Sequence, residues 1–324
     1  MPPIARITRL VAAALLSFAC VAVAQEPFPS KPVRLVVPVA AGGGIDTAFR
    51  TIAPFWADEL GQAVVVENKP GAGQVIGSDF VAKSKPDGYT LLAAGVPIAF
   101  NTALGRKLPY DAIRDFTPLS LVVTQPLLIV VNPAVPVNNM RELLAYAKAQ
   151  PAPLHYTTGG IGSYGHLWWE MFRDKQGVPG QHVPYNGVAV ALKDVMGGQV
   201  PVLIDAIVPT GAQVQGGTVR GIAIVGAQRA KSLPNVPTLT EQGYAGFDAA
   251  PFYGILGPAQ MPASVVDKLH ASLAKALARP VLREKLADLG FDVVGSTPEA
   301  YARLIKSEID RWSSVVKAQN IKVD

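Results

Sequence analysis

Val33-Arg-Leu-Val-Val37 followed by Pro38-Val-Ala-Ala-Gly-Gly-Gly-Ile-Asp46 is the stretch that decides the fold. A β-branched run stops at a proline, and a glycine loop follows. Ala48, Ile52, Phe55 and Leu60 then recur at helical spacing. The same order returns far along the chain. Residues 155–158 read as a strand, Thr157-Thr-Gly-Gly-Ile-Gly-Ser163 as the loop, and residues 165–175 as the helix. A strand–glycine turn–helix gathers backbone N–H groups at the positive end of a helix, a ready place for an anion. Two such turns, distant in sequence, point to one anionic ligand gripped from two sides. That favours capture of a small carboxylate over chemistry on it.

Working outward, strands and helices alternate throughout, which gives an α/β fold. Asp46 reads as the cap of the first helix, and Pro54 should kink it. Residues 64–67 read as a short buried strand, 76–82 as a helix and 89–94 as a strand. Further strands are expected at 127–131, 200–204, 221–225 and 252–256. Asn139 with Glu142 makes a capping-box start for a helix over 140–149. A helix over 188–196 stops at Gly197-Gly198. Val266, Leu269, Leu273 and Leu277 stripe a later helix; Pro280 opens the next, and Gly290 ends it. Pro298 opens a long amphipathic helix with Tyr301, Ile305, Ile309, Trp312 and Val316 on one face.

The N-terminus reads as a secretory signal over residues 1–24. Arg6 and Arg9 precede an apolar stretch over 10–21, and Ala22-Val23-Ala24 fits a small-x-small cleavage site. The one cysteine, Cys20, lies inside that segment, so the exported chain would hold no disulfide, thiolate metal site or catalytic thiol. Cys20 follows Leu16-Ser-Phe-Ala19, a loose match to a lipoprotein box with its leucine one residue too far away. A free periplasmic protein is expected over a lipid-anchored one. Without Arg6 and Arg9 the formal charge falls from +5 to +3, with no basic block of the kind that binds nucleic acid. Hydrophobic content of 49% against 16% charged residues indicates a globular protein with an ample core.

Single residues carry competing readings. Ser163 suits a carboxylate oxygen and also suits capping the helix after it. His166 stands three residues on, but the Gly-x-Ser-x-Gly elbow of a serine hydrolase is missing, so a helix histidine bonded to a nearby loop is preferred. His155, His166, His182 and His270 lack metal spacing, and no cofactor is expected. Asp205, at a strand end, would attract an amino or ring-nitrogen group and repel a second carboxylate, or else would bond a loop. Tyr185 reads as a ligand contact or as packing. Of Trp168 and Trp169, one is expected in the core, while the other could wall a cleft.

Several segments together resemble one family. They are residues 38–46 with Arg50, Val66-Glu-Asn-Lys-Pro-Gly-Ala-Gly73, Leu108-Pro-Tyr-Asp111, Asp115-Phe-Thr-Pro118, Gly160-Ile-Gly-Ser163 with His166-Leu167, His182-Val-Pro-Tyr-Asn-Gly187, Gly198-Gln-Val200, Leu233-Pro-Asn-Val-Pro237 and residues 254–258. In order and spacing they resemble the extracytoplasmic solute receptors of tripartite tricarboxylate transporters, the Bug receptors. The resemblance implies a type II periplasmic-binding-protein-like fold with two lobes, a ligand cleft and two interlobe crossings. Lobe one would be residues 26–124 plus 252–324 and lobe two 125–251, with crossings near Gln125-Pro126 and Ala250-Pro251. It also implies a carboxylate held through backbone groups and water at Ala41, Gly42, Gly43 and Asp46, and at Gly160, Gly162 and Ser163. Val39 stands where the family often has an aromatic residue, and Trp168-Trp169 replace smaller ones. The implied partners are a small organic carboxylate and membrane permease subunits, with no nucleic acid. A monomer is expected, since closure of two lobes needs no second chain. The alternatives are an extracytoplasmic sensor for a signalling partner and, less favoured, an exported hydrolase using Ser163 and His166.

Overall fold

The opening strand and helix form where the sequence puts them. In the computed structural model, which describes residues 28–185, 187–247 and 250–318, β1 is Val33–Val37 and α1 is Gly44–Leu60. The signal segment and Cys20 lie outside the described residues. Ala48, Ile52, Trp56 and Leu60 bury one face of α1. Pro54 sits on the exposed face, and the helix continues through it. There the carbonyl of Arg50, which loses its amide partner, can meet water. The cap differs from expectation. Gly43 is the N-cap residue, and Asp46 lies inside the first turn.

β2 is Val64–Asn68. It is an edge strand with β1 as its neighbour, and Val65 is 51% exposed, so the expectation of a buried strand is corrected. α2 (Val75–Ala82) and β3 (Thr90–Gly95) match their patterns. α3 (Pro97–Ala103) and β4 (Phe116–Thr124) were not anticipated; Pro118 disguises β4, which pairs with the later strand Phe252–Pro258 through two register shifts. Then come β5 (Leu127–Val131), α4 (Met140–Ala149), β6 (Leu154–Thr157), α5 (Tyr164–Lys175), β7 (Gly180–Val183) and α6 (Val188–Met196). The capping box forms: Asn139 accepts from the Glu142 N–H, and Glu142 reaches back to the Asn138 N–H. β8 (Val202–Ala206), α7 (Ile207–Gln215) and β9 (Arg220–Val225) follow. The chain ends with β10 (Phe252–Pro258), α8 (Ala263–Ala278), α9 (Pro280–Asp288), β11 (Asp292–Val293) and α10 (Pro298–Ala318).

The strands make two sheets. One runs β11-β4-β10-β3-β1-β2 and the other β7-β6-β8-β5-β9. β1 is parallel to β2 and β3, and β6 to β7 and β8, because helical crossovers join them. β5 and β10 run antiparallel to their neighbours. Each is the first strand after the chain changes sheet. The passages lie together: the Gln125 N–H donates to the Pro251 carbonyl at 3.0 Å.

Helices cover both sheets. Trp56 of α1 donates its indole N–H to Ser272 of α8 at 2.9 Å. Trp168 and Trp169 are both fully buried, and Trp168 donates to the Phe247 carbonyl at 2.8 Å, so neither walls a cleft. Trp312 of α10 crosses to the second unit, packing on Phe100 and Tyr164 at 5.1 and 5.3 Å between ring centres. Among the described residues no helix is long and apolar enough to cross a membrane.

Candidate ligand-binding cleft

A cleft of about 970 Å³ opens between the two units. The first contributes Val39, Ala40, Ala41, Gly42, Gly43, Gly44, Thr47 and Tyr253; the second contributes Gly187, Val188, Ala189, Lys193, Asp205 and Ala206. A hollow of about 260 Å³ shares Asp205 and Tyr253 with it and is also lined by Gly159, Ser163 and Gly165. Both lie at the carboxyl ends of strands, where open α/β sheets bind ligands.

The polar resources here are mostly backbone. α1 begins at the cleft with Gly43 as cap and no side-chain hydrogen bond to its first turn. α6 begins there likewise, after Gly187. Two uncapped helix starts thus aim unspent N–H groups and positive dipole ends at one space. Of the described lining residues, Lys193 is the one cation and Asp205 the one carboxylate.

Loop one, residues 38–46, is braced by ions. Gly42 takes a left-handed φ of 86°, which turns its N–H toward Asp46 Oδ2 at 2.9 Å. Asn68 donates to Asp46 Oδ1 at 2.8 Å, and Arg50 Nε to the same oxygen at 3.0 Å. Burial pushes the Asp46 carboxyl pKa up, but these donors outweigh it and hold the group below the usual carboxylate range. Asp46 therefore holds the loop from behind and is not among the lining residues, whereas Ala41, Gly42 and Gly43 are.

Loop two, residues 157–163, is braced by neutral groups. Gly162 donates its N–H to His166 Nδ1 at 3.1 Å, and Gly160 donates to Thr158 Oγ1 at 3.2 Å. Both amides expected to meet an anion are thus spent inside the loop; Gly159 and Ser163 line the hollow instead. Ser163 caps α5, accepting from the His166 N–H at 3.4 Å, and donates to Thr158 Oγ1 at 3.1 Å. The His166 ring faces Gly162, so no Ser163–His166 nucleophile–base pair forms. His166 stacks on His182 at 4.1 Å. Burial lowers both imidazole pKa values; that of His182 falls to about 3, with His166 adding to the effect.

Asp205 joins loop two to β8. Its Oδ1 accepts from the Ala206 N–H at 2.7 Å, and the Gly159 N–H also reaches the carboxylate. Burial raises its pKa to about 6 against these hydrogen bonds. Tyr253 went unnoticed in the sequence. It accepts from Gln125 Nε2 at 2.6 Å, and a Cβ on Gly44 would lie 2.8 Å from its hydroxyl oxygen. No local pattern marks it; the only hint is its place just after the second passage between sheets. Tyr185 donates its hydroxyl to Asp194 at 2.5 Å and is outside the lining.

Two α/β lobes, paired passages between them and a cleft lined by helix starts define a periplasmic-binding-protein fold. Over residues 48–321 the chain matches the tripartite tricarboxylate transporter family receptor, and it belongs to that family. It is 34% identical to the protein BugT of Bordetella pertussis, over 93% of each chain. It is also similar to the structure of the periplasmic binding protein BugD, with 35% identity and a TM-score of 0.80 over 91% of this chain and 99% of that one. Rpa4515 of R. palustris, solved with adipate, gives 33% identity and a TM-score of 0.83 over 91% and 99%. MatC from Rhodopseudomonas palustris, solved with malate, gives 33% and 0.78 over 89% and 100%.

Proposed function

We propose that this receptor closes on a small organic carboxylate in the periplasm and delivers it to membrane permease subunits. The observation that carries the reading is the pair of uncapped helix starts, α1 and α6, opening on one cleft whose described lining has a single cation. Such a site holds an anion through neutral backbone donors and bridging water. Adipate and malate in the two related structures fit the same chemistry. Ala41, Gly43 and Ser163 are the contacts we assign on loop surfaces; Gly42, whose N–H is held by Asp46, adds only its surface. Asp205, when ionised, favours a ligand that offers a hydroxyl, amino or ring N–H beside its carboxylate. The lobes turn about Gln125-Pro126 and Ala250-Pro251, and ligand stabilises the closed form by its greater affinity for that form.

Thermal unfolding of the protein from Gln25 onward, against mono-, di- and tricarboxylates, tests this. A ligand at about 100 times its dissociation constant stabilises by about 2.7 kcal/mol, a rise of several degrees. Gly43→Val sharpens the test. The added Cβ would meet Val39 Cγ2 at 3.4 Å, at the near edge of ordinary contact, and places apolar bulk on the cleft surface; urea unfolding of the variant checks that its fold is kept. Carboxylate affinity should fall at least tenfold, or about 1.4 kcal/mol. A refolded protein that responds to no carboxylate overturns the reading; a Gly43→Val variant that binds normally removes loop one from the site.

A further inference from the structure

We infer that His166 and His182 are positioning residues that hold loop two in its ligand-facing shape only while both imidazoles are neutral, so that capture fails in acid. This rests on the receptor reading above. His166 serves the loop as an acceptor, and the bonds around Thr158 favour the same role for His182. His166 Nδ1 accepts the Gly162 N–H at 3.1 Å, so its own proton sits on Nε2. The Thr158 hydroxyl has one hydrogen and two lone pairs. Gly160 N–H and Ser163 O–H, at 3.2 and 3.1 Å, fill the lone pairs. The hydrogen is then available to His182 Nε2 at 3.0 Å, in competition with the Gly160 carbonyl at 3.1 Å. The rings stack at 4.1 Å with 26° between planes, an arrangement that two cations would oppose.

The charged surroundings supply no counter-ion for a second proton. Glu170 of α5 is paired with Arg173 and accepts from Tyr156 of β6. At His166 its pull is opposed by Arg173, and at His182 it is outweighed by burial and by the neighbouring His166 ring. Asp205, at the β8 end of the loop, is held by the Gly159 and Ala206 N–H groups. Protonating His166 on Nδ1 would set a donor against the Gly162 N–H, and protonating His182 on Nε2 would do the same to Thr158. Either change releases residues 158–163, and with them the Ser163 and Gly159 surfaces of the hollow.

The direction follows from proton linkage. A displaced loop exposes its imidazoles, which then titrate near the ordinary value of about 6.5, whereas the formed loop keeps them neutral to lower pH. Acid therefore favours the displaced loop, by up to about 30-fold per imidazole at pH 5. Asp205 acts in the opposite sense. Gaining a proton removes a negative charge from the cleft, so its titration tightens anion binding as pH falls.

The experiment is calorimetric titration of the purified protein with malate and adipate at pH 7.5 and 5.0, for wild type and His166→Asn. The asparagine Oδ1 can accept from Gly162 but does not titrate. Titration of the ligand and of Asp205 is common to both proteins and cancels in their ratio. Wild-type affinity should fall at least about tenfold more than that of His166→Asn over this interval. In amide NMR spectra without ligand, the Gly162 and Ser163 signals should move with the imidazole titration in wild type, move less in His166→Asn, and stay fixed once His182→Gln is added to it. His182→Gln carries the same test if His166→Asn does not fold. Equal acid loss in both proteins, or loop amides that ignore the imidazole titration, overturns the inference. If neither acid binds at pH 7.5, the choice of probe or the receptor reading is at fault, and the amide titration alone decides the histidine inference.

Discussion

Loop one is tied down by an ion pair, loop two by imidazoles and hydroxyls, although both are glycine turns between a strand and a helix. In loop one, Arg50 lies one helical turn beyond Asp46, so the carboxylate that holds the Gly42 N–H has a partner within reach. That arrangement leaves the first turn of α1 open to the cleft. In loop two, Ser163 occupies the cap of α5, and the Gly160 and Gly162 amides are spent inward. Its open donors come from a neighbour, the start of α6. Similar sequence motifs therefore do different work: one presents donors, while the other shapes a wall. The wall should also be the more acid-sensitive of the two.

The largest effect should come from Gly165→Ala. A Cβ there would lie 2.2 Å from the Ile204 carbonyl oxygen and 3.0 Å from its carbon, backbone against backbone. Neither side can yield without lifting α5 off β8. We expect a loss of about 3 kcal/mol or more, measured by urea unfolding. Gly43, the cap of α1, meets no such backbone collision, so the contrast tests whether the start of α5 is seated more tightly on its sheet than the start of α1. An alanine that unfolds like wild type breaks that contrast.

Asp46→Asn comes next. Asp46 has 3% of its side chain exposed, and the asparagine would offer one acceptor where three donors converge. A loss of about 2 kcal/mol at pH 7 is expected; Arg50, about half exposed, can turn to water. The folded-state pKa lies below the unfolded one, so the carboxylate contributes fully above the unfolded value of about 4. That contribution fades as pH falls through the folded value. Unfolding of both proteins at pH 7 and pH 3 should show the gap narrowing. Loop two should weaken earlier, below about pH 6.5. A gap that narrows already at pH 6 would contradict the ionic bracing of loop one.

What could be read in advance was what the chain decides locally. Asn139 and Glu142 cap a helix through contacts three residues apart, and Ser163 caps α5 in the same way. The α/β class followed from the alternation of strand-like and helix-like runs, whereas the two lobes and their crossings near Gln125-Pro126 and Ala250-Pro251 came from the family resemblance. Asp46 was displaced by three positions because Gly43, which also caps well, stands ahead of it. β4 was hidden because its pairing with β10 is non-local and bulged. Tyr253 and the His166–His182 stack were out of reach for the same reason. Their partners arrive from other elements, and neither residue differs in sequence from an ordinary strand or helix position.

The smallest expected effect belongs to Ser163→Ala, and it separates capping from bracing. The serine accepts the His166 N–H and donates to Thr158, but it does not touch either imidazole ring through its hydroxyl. Loss of the cap should cost about 1 kcal/mol in unfolding measurements. The His166 Nδ1 acceptor for Gly162 would remain, so the acid dependence of loop two should survive. A large loss without a change in that dependence would mean that the hydroxyl braces the loop more than the imidazoles do. A stability loss near 1 kcal/mol, with acid dependence intact, would leave the histidines as the titrating brace and Ser163 as a cap that also lines the hollow.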